Sequence, residues 1–275
     1  MVLLTKKISS WDIVNIARGP YRKTSLDYID NLFEDFIELH GDRLGYDDKA
    51  IVCGIGKYNG IPVTIIAEQK GRTTQENIER NFGMPNPESY RKAIRLMRQA
   101  EKFNRPIITF IDTKGAYPGL HAEEHGQGEA IAKSMLTLAN IKVPVINIVI
   151  GEGSSGGALA IGVANKILML EYAIYSIISP EGFASIIWKD SSKKEKAANK
   201  MKLTSKDLLN LNVIDTIIKE EKEDSDDNFM KVIARIKKEL DLSLEELMKL
   251  SPKELCYHRY EKFRKIGTYK KEKVN

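Results

Sequence analysis

The stretch VINIVIGEGSSGGALAIG, Val145 to Gly162, satisfies three active-site patterns at once. An apolar run enters a turn of glycines and serines, and small residues follow. Read as G-x-G-x-x-G (Gly151, Gly153, Gly156) it is a dinucleotide fingerprint, with Glu171 at the distance expected of a ribose-binding acid. Read as G-x-S-x-G around Ser155 it is the nucleophile elbow of serine hydrolases. Read as Gly156-Gly157 it is a pair of unobstructed backbone N–H donors at a helix start, a hole for an oxyanion. All three share one physical basis. A strand ends, the chain turns tightly on residues without bulk, and a helix N-terminus aims its unpaired N–H groups at something negative.

The surrounding sequence separates the readings. RPIITFIDTKGAYPG is a continuous apolar strand ending in an acid and a glycine turn, EHGQGEAIAKSMLTLAN a helix, and VPVINIVIGEGSSGG a second such strand and turn before the helix ALAIGVANK. ILMLEYAIYSII is predicted as a third strand, ending in the turn SPEG ahead of another helix. Fully apolar strands alternating with helices predict an α/β fold whose sheet is covered by helices. Two helix starts, at Gly115-Ala116 and Gly156-Gly157, then open on one edge of the sheet. A dinucleotide fingerprint belongs in the first such unit of a domain. Here it falls in the middle of the series, and Glu171 is predicted to continue a strand.

A hydrolase needs a base, and the histidines are His40, His121, His125 and His258. Only His258, in a charged helix, follows Ser155, which suits neither an α/β-hydrolase nor a Clp-type peptidase. Ser154 and Ser155 read as small residues of a tight turn or a helix cap. His121 and His125 flank Glu123 and Glu124 on a helix start. H-A-E-E-H is not H-E-x-x-H, and no third ligand stands at metal-site spacing, so no metal site is expected. Asp112 and Glu152, each at a strand end before a glycine turn, are expected to orient the loops by accepting backbone N–H bonds.

Upstream, residues 11–40 are predicted helical, with a cap at Thr24 or Ser25 and Phe33, Phe36 and Ile37 at helical spacing. AIVCGIGKY and IPVTIIAE form strands joined at Asn59-Gly60, a type I′ hairpin dipeptide. A polar loop leads to the helix SYRKAIRLMRQAEKFN. After Glu220 the chain is charged and helical, with EEKEDSDD as an exposed connector.

The 275 residues, 42% of them hydrophobic, suffice for a full core. Lys and Arg number 43 against 38 Asp and Glu. A net charge of +5 is mild for this length and implies neither nucleic acid nor membrane as a partner. Much of the excess lies in YHRYEKFRKIGTYKKEKV, which reads as a solvated helix face. Cys53 and Cys256 lack zinc or disulfide spacing, so a reducing compartment fits. The N-terminus has no signal peptide pattern and no apolar run reaches the roughly eighteen residues of a membrane span. A cytoplasmic protein is expected.

Longer blocks carry a further signal. QKGR (Gln69 to Arg72), RNFGMPNPESYRKAIRLM (Arg80 to Met97), PIITFIDTKGAYPG (Pro106 to Gly119), EEHGQGEAIA (Glu123 to Ala132), VIGEGSSGGALAIG (Val149 to Gly162) and SIISPEGFASIIWK (Ser176 to Lys189) resemble the alpha subunits of bacterial acetyl-coenzyme A carboxylase carboxyltransferases. The resemblance runs from about Trp11 to about Ile218. It implies a crotonase-like spiral of ββα units with additional N- and C-terminal helices: a helical segment over 1–45, the crotonase-like core over 46–220, and a charged helical segment over 221–275. It further implies carboxyl transfer from carboxybiotin, on biotin carboxyl carrier protein, to acetyl-CoA, giving malonyl-CoA.

The implied partner is a zinc-ribbon beta subunit in an α2β2 assembly that works with biotin carboxylase. Zinc is expected only on the beta subunit, with no cofactor bound by this chain. The implied oxyanion donors are the amides of Gly156 and Gly157. Gly115, Ala116, Gly119, Gly153, Ser155, Arg72 and Arg80 are expected to line the substrate site. Arg72, Arg80 and Lys92 are candidate contacts for carboxylate or CoA phosphate, with solvated charge as the plainer reading. Three departures stand out. A charged helical extension common in the family does not precede this sequence, Lys114 replaces a proline in DTPGAYPG, and Ser154 replaces a glycine in GEGGSGG. The amides of Gly115 and Ala116 are expected to stay available. A Clp-like hydrolase using Ser155 and a non-catalytic regulatory relative remain as alternatives.

Overall fold

The computed structural model describes residues 8–221 and 225–267. Its strands are β1 (Glu34–Glu38), β2 (Ile51–Tyr58), β3 (Ile61–Glu68), β4 (Ile107–Thr113), β5 (Val145–Ser154), β6 (Lys166–Leu170), β7 (Ile174–Ser176) and β8 (Thr216–Ile218). Its helices are α1 (Ser10–Ala17), α2 (Ser25–Leu32), α3 (Thr74–Glu79), α4 (Pro87–Lys102), α5 (Leu120–Glu124), α6 (Gln127–Asn140), α7 (Ser155–Gly162), α8 (Pro180–Trp188), α9 (Lys194–Met201), α10 (Ser205–Asn210), α11 (Asp226–Leu247) and α12 (Pro252–Arg264).

The sheet runs β1-β2-β3-β4-β5-β6-β8, with β7 also paired to β5. Asn59 (φ 47°) and Gly60 (φ 77°) both take the left-handed conformation that a type I′ turn demands, and they close the antiparallel β2–β3 hairpin. From β3 onward every neighbour is parallel. Every residue of β4 and of β5 is buried, as a strand covered on both faces requires.

The predicted third strand is two. Residues Ile146 to Val149 of β5 pair with β6, whereas Glu152 to Ser154 pair with β7. The break falls at Glu171 to Ala173, so Glu171 lies in a turn and not inside a strand. Two short strands followed by α8 form the ββα repeat of a crotonase-like fold.

The predicted helical segment over 11–40 also divides. Thr24 caps α2 in a capping box with Asp27. Residues 34–38 then turn into β1, because the free edge of β2 offers a backbone ladder there and Gly54 leaves room for the Phe36 ring. A ladder plus an aromatic lid outweighs helical spacing in so short a stretch.

The C-terminal helices are amphipathic and do not stand apart. Ile233, Ile236, Leu240 and Leu244 of α11 join one core cluster that also holds Tyr28, Leu32, Phe110, Ile148 and Leu255. That cluster reaches across residues 45 and 220. Residues 222–224 of the expected connector lie outside the described residues. Arg259 corrects the reading of the basic tail as a solvated face: it is 1% exposed, and its Nη1 donates to Val143 O at 3.1 Å and to Asn165 Oδ1 at 2.5 Å. Burial pushes its pKa down to about 10. Among the described residues no helix is long and apolar enough to cross a membrane.

Candidate active site

The ends of β4 and β5 bring the two glycine turns together. Ser154 is extended (φ −122°) and Ser155 takes φ 59°, so the left-handed residue of the turn is Ser155, and the Ser154 substitution costs no backbone strain. α7 starts there. Gly156 and Gly157 fall in its first turn, where backbone N–H groups have no intrahelical acceptor. Among the described residues neither amide donates to any group outside the helix.

The second turn packs directly on this helix start. A β-carbon at Gly157 would lie 2.6 Å from Ala116 N and 2.7 Å from Gly115 C, closer than any side chain tolerates. Gly156 differs. A β-carbon there would meet only the Ile131 side chain, at 3.5 Å.

Gly115 needs its glycine for another reason, a φ of +129°. Its amide is not available, contrary to expectation: it donates to Thr113 Oγ1 at 3.0 Å, and the single hydrogen of that hydroxyl has Gly83 O at 2.5 Å and Gly115 O at 2.9 Å as acceptors. Thr113 thus sets the turn's shape, and Ala116 is left as the residue of this turn whose amide has no acceptor among the described residues. A Thr two residues before a turn glycine is an ST-turn signature legible in the sequence.

Gly153 gives space to the Tyr175 ring, which a β-carbon would approach to 2.7 Å. Gly119 faces the Tyr117 ring in the same way, at 2.3 Å. Both therefore shape the wall behind the turns.

The strand ends are tied by ions as well as amides. Asp112 Oδ1 accepts from Glu152 N at 2.9 Å, as expected of a loop-orienting acid, and is also bonded to Lys70 Nζ. Glu152 behaves otherwise. Its carboxylate takes the Arg18 guanidinium at 2.7 and 3.1 Å, and Arg18 reaches on to Glu181 on α8 at 2.8 Å. Burial lowers the pKa of Arg18, but the two carboxylates outweigh it and hold the group above its ordinary value. Glu68 lies beneath, fully buried. Burial, reinforced by the Asp112 charge, pushes its carboxyl well above the usual range, while its Oε2 accepts from Asp112 N at 3.2 Å. Arg18 is unmarked by any motif, and Lys70, inside the QKGR block, is given no role by the sequence; only the fold brings them here.

The candidate anion contacts lie elsewhere. Arg72 pairs with Asp27 at 2.8 Å, and Arg80 donates to Lys49 O at 2.7 Å. Lys92 corrects the solvated-charge reading. It is fully buried, bonded to Asp47 Oδ1 at 2.7 Å and Asp48 O at 2.8 Å. Each cation pins a loop.

The other readings of the glycine turn lose their second half. Glu171 pairs with Lys219 at 2.9 Å and accepts from Glu220 N at 3.4 Å, serving the β8 end and not the glycine turn. Among the described residues no hydrogen bond reaches the Ser155 side chain, and His258 Nδ1 contacts Asn165 at 3.3 Å. Ser155 has no base.

A parallel ββα core whose helix start packs on a glycine turn defines a crotonase-like carboxyltransferase fold. A solved transcarboxylase 12S core shares it, with a TM-score of 0.69 at 20% identity over 90% of this chain and 46% of that one. The chain belongs to the acetyl co-enzyme A carboxylase carboxyltransferase-like family, whose model matches residues 3–267. It is 58% identical to the acetyl-coenzyme A carboxylase carboxyl transferase subunit alpha of Clostridium botulinum, over 94% of this chain and 95% of that protein. It is also 58% identical to the protein of Clostridium tetani named subunits beta/alpha, over 97% of this chain. There the chain spans 46% of the relative's length.

Proposed function

We propose that this chain is the alpha subunit of an acetyl-CoA carboxylase carboxyltransferase, moving a carboxyl group from carboxybiotin to acetyl-CoA to give malonyl-CoA, the committed step toward fatty acids. One observation carries the reading: the unpaired amides of Gly156 and Gly157 at the start of α7, seated against the Gly115-Ala116 turn. As carboxybiotin gives up its carboxyl group, negative charge grows on its ureido oxygen. Two fixed donors in a dry site stabilise that charge by several kcal/mol. Gly115, Ala116, Gly119, Gly153 and Ser155 line the cleft for the biotin ring. Arg72 and Arg80, tied into loops, contribute at most long-range positive charge.

Biotin then takes the methyl proton of acetyl-CoA, and the enolate forms against a matching oxyanion hole on a beta subunit. With biotin itself as the base, no side-chain nucleophile is required. The relative named subunits beta/alpha places both halves in one protein, which supports a beta-type partner. Ile177 (81% exposed), Ile186 (69%) and Ile187 (57%), on and before α8, supply apolar surface for it to cover. An α2β2 assembly, a zinc ribbon on the beta subunit, biotin carboxyl carrier protein and biotin carboxylase as further partners, and a cytoplasmic location complete the proposal.

The test is carboxyl transfer in reverse, from malonyl-CoA to biotin, with purified beta subunit. Turnover that requires both chains is the expected result. A folded, assembled pair without turnover would point instead to a regulatory relative.

A further inference from the structure

The described residues hold one set of three side chains able to share a metal ion, and it lies outside the amide pair: Glu88, His121 and His125, with ligand atoms all within 4.8 Å of one another. The sequence alone offers two of them. His121 and His125 stand four apart, on α5 and its C-cap, so their rings lie on one face with centroids 3.9 Å apart. The third arrives through the fold. Glu88 in the first turn of α4 is 2% exposed, and its Oε1 lies 2.6 Å from His125 Nδ1.

We propose that these three residues bind a divalent first-row transition-metal ion, zinc being the best match. Two imidazoles and one carboxylate are borderline ligands that suit zinc, cobalt or nickel better than calcium or magnesium, which prefer all-oxygen sets. Three protein ligands leave a fourth tetrahedral position for water. That position has room: Glu88 and His121 line an open cleft of about 310 Å³, together with Asp47, Asp48, Asn81 and Asn86.

The geometry needs only side-chain rotation. Zinc binds nitrogen and oxygen at about 2.0–2.2 Å, which sets tetrahedral ligands roughly 3.3 Å apart. The 2.6 Å contact opens to that value and the wider separations close to it. Arg91 is the competitor, since its Nη2 donates to Glu88 Oε1 at 3.1 Å. It has other anchors in Asp42 at 3.0 Å and the His125 carbonyl at 2.8 Å, so it can release the carboxylate while still holding the backbone of His125 in place.

The site has a structural consequence. α5 follows the Gly115-Ala116 turn, and an ion shared between α5 and α4 would clamp the far end of that loop. The inference stands whether or not the chain is a carboxyltransferase.

The isolated full chain, stripped with chelator, is titrated with Zn²⁺ by calorimetry and with Co²⁺ by visible absorption. We expect one ion per chain, tetrahedral cobalt bands, and affinity weakened by roughly tenfold or more in His121→Ala and in Glu88→Gln. His121 is exposed, so its variant keeps the fold. Glu88→Gln that loses Zn²⁺ with an unchanged circular dichroism spectrum supports the same conclusion. Absence of stoichiometric binding, or binding unaltered by His121→Ala but lost in His40→Ala, overturns the site.

Discussion

The amide nitrogen of Ala116 lies 2.6 Å from where a β-carbon on Gly157 would stand. The two glycine turns of this fold are therefore in contact through bare backbone, and their separation is fixed by the lack of one methyl group. Everything proposed for the chemistry depends on that contact, because it positions the first turn of α7 against the cleft wall.

Gly157→Ala should force the turns apart. Overpacking of this kind costs about 1–3 kcal/mol, and the displaced amides should lose carboxyl transfer altogether. Gly156→Ala, which meets only Ile131 at 3.5 Å, should leave the unfolding temperature almost unchanged. Thermal unfolding beside the reverse-transfer assay distinguishes the two. Equal tolerance at both positions would contradict the packing described.

Ser155→Ala should keep most of the activity. Among the described residues the side chain has no hydrogen-bonded base, and the donors of the proposed hole are main-chain groups. A Ser155→Ala protein that folds and assembles but has no turnover would favour hydrolytic chemistry instead.

Thr113→Val removes the hydroxyl that accepts from Gly115 N and donates toward Gly83 O and Gly115 O, with little change in volume. The stranded Gly115 amide should cost about 1–3 kcal/mol, and kcat should fall as the turn loosens. Thr113→Ser should restore both stability and kcat. Failure of serine to rescue would mean that the methyl group, and not the hydroxyl, shapes the turn.

Glu68 makes stability depend on pH in a defined direction. Its carboxyl titrates near 4.5 in the unfolded chain and well above that when folded, so the folded protein holds the proton more tightly. The resulting stabilisation is complete below 4.5 and is lost as pH rises through the folded value. Glu68→Gln, permanently neutral and nearly isosteric, should therefore gain in melting temperature relative to wild type as pH increases. A difference that stays constant with pH, or grows toward acid, would show that Glu68 is not held protonated.

Arg259→Ala should destabilise the junction of α12 with the sheet. Two charge-assisted bonds, to Val143 O and Asn165 Oδ1, are worth about 1.5–3 kcal/mol each. Chemical denaturation should record a fall of that order with little change in transfer activity per folded molecule. A variant as stable as wild type would return Arg259 to the solvated tail.

Where the sequence reading succeeded, the signal was local. The Asn59-Gly60 turn, the apolar runs of β4 and β5 and the small residues at the start of α7 each carry their structure in a few neighbouring residues. Where it failed, a partner distant in the chain decided. Phe36 and Ile37 have helical spacing, yet the open edge of β2 takes them as strand. Lys92 and Arg259 look like surface cations until the Asp47-Asp48 loop and Asn165 enclose them. His121 and His125 stand alone in sequence until α4 brings Glu88 beside them.

The sequence by itself determined that two apolar strands end in glycine turns and that the second opens a helix, because backbone freedom and hydrophobic period are properties of adjacent residues; the helix expected at Gly115-Ala116 begins only at Leu120. Only the tertiary structure decided that Gly157 must be bare, that Thr113 consumes the Gly115 amide, and that Arg18 bridges Glu152 to Glu181. Those facts depend on atoms brought within a few ångströms by parallel strand pairing, a distance that spacing along the chain does not encode.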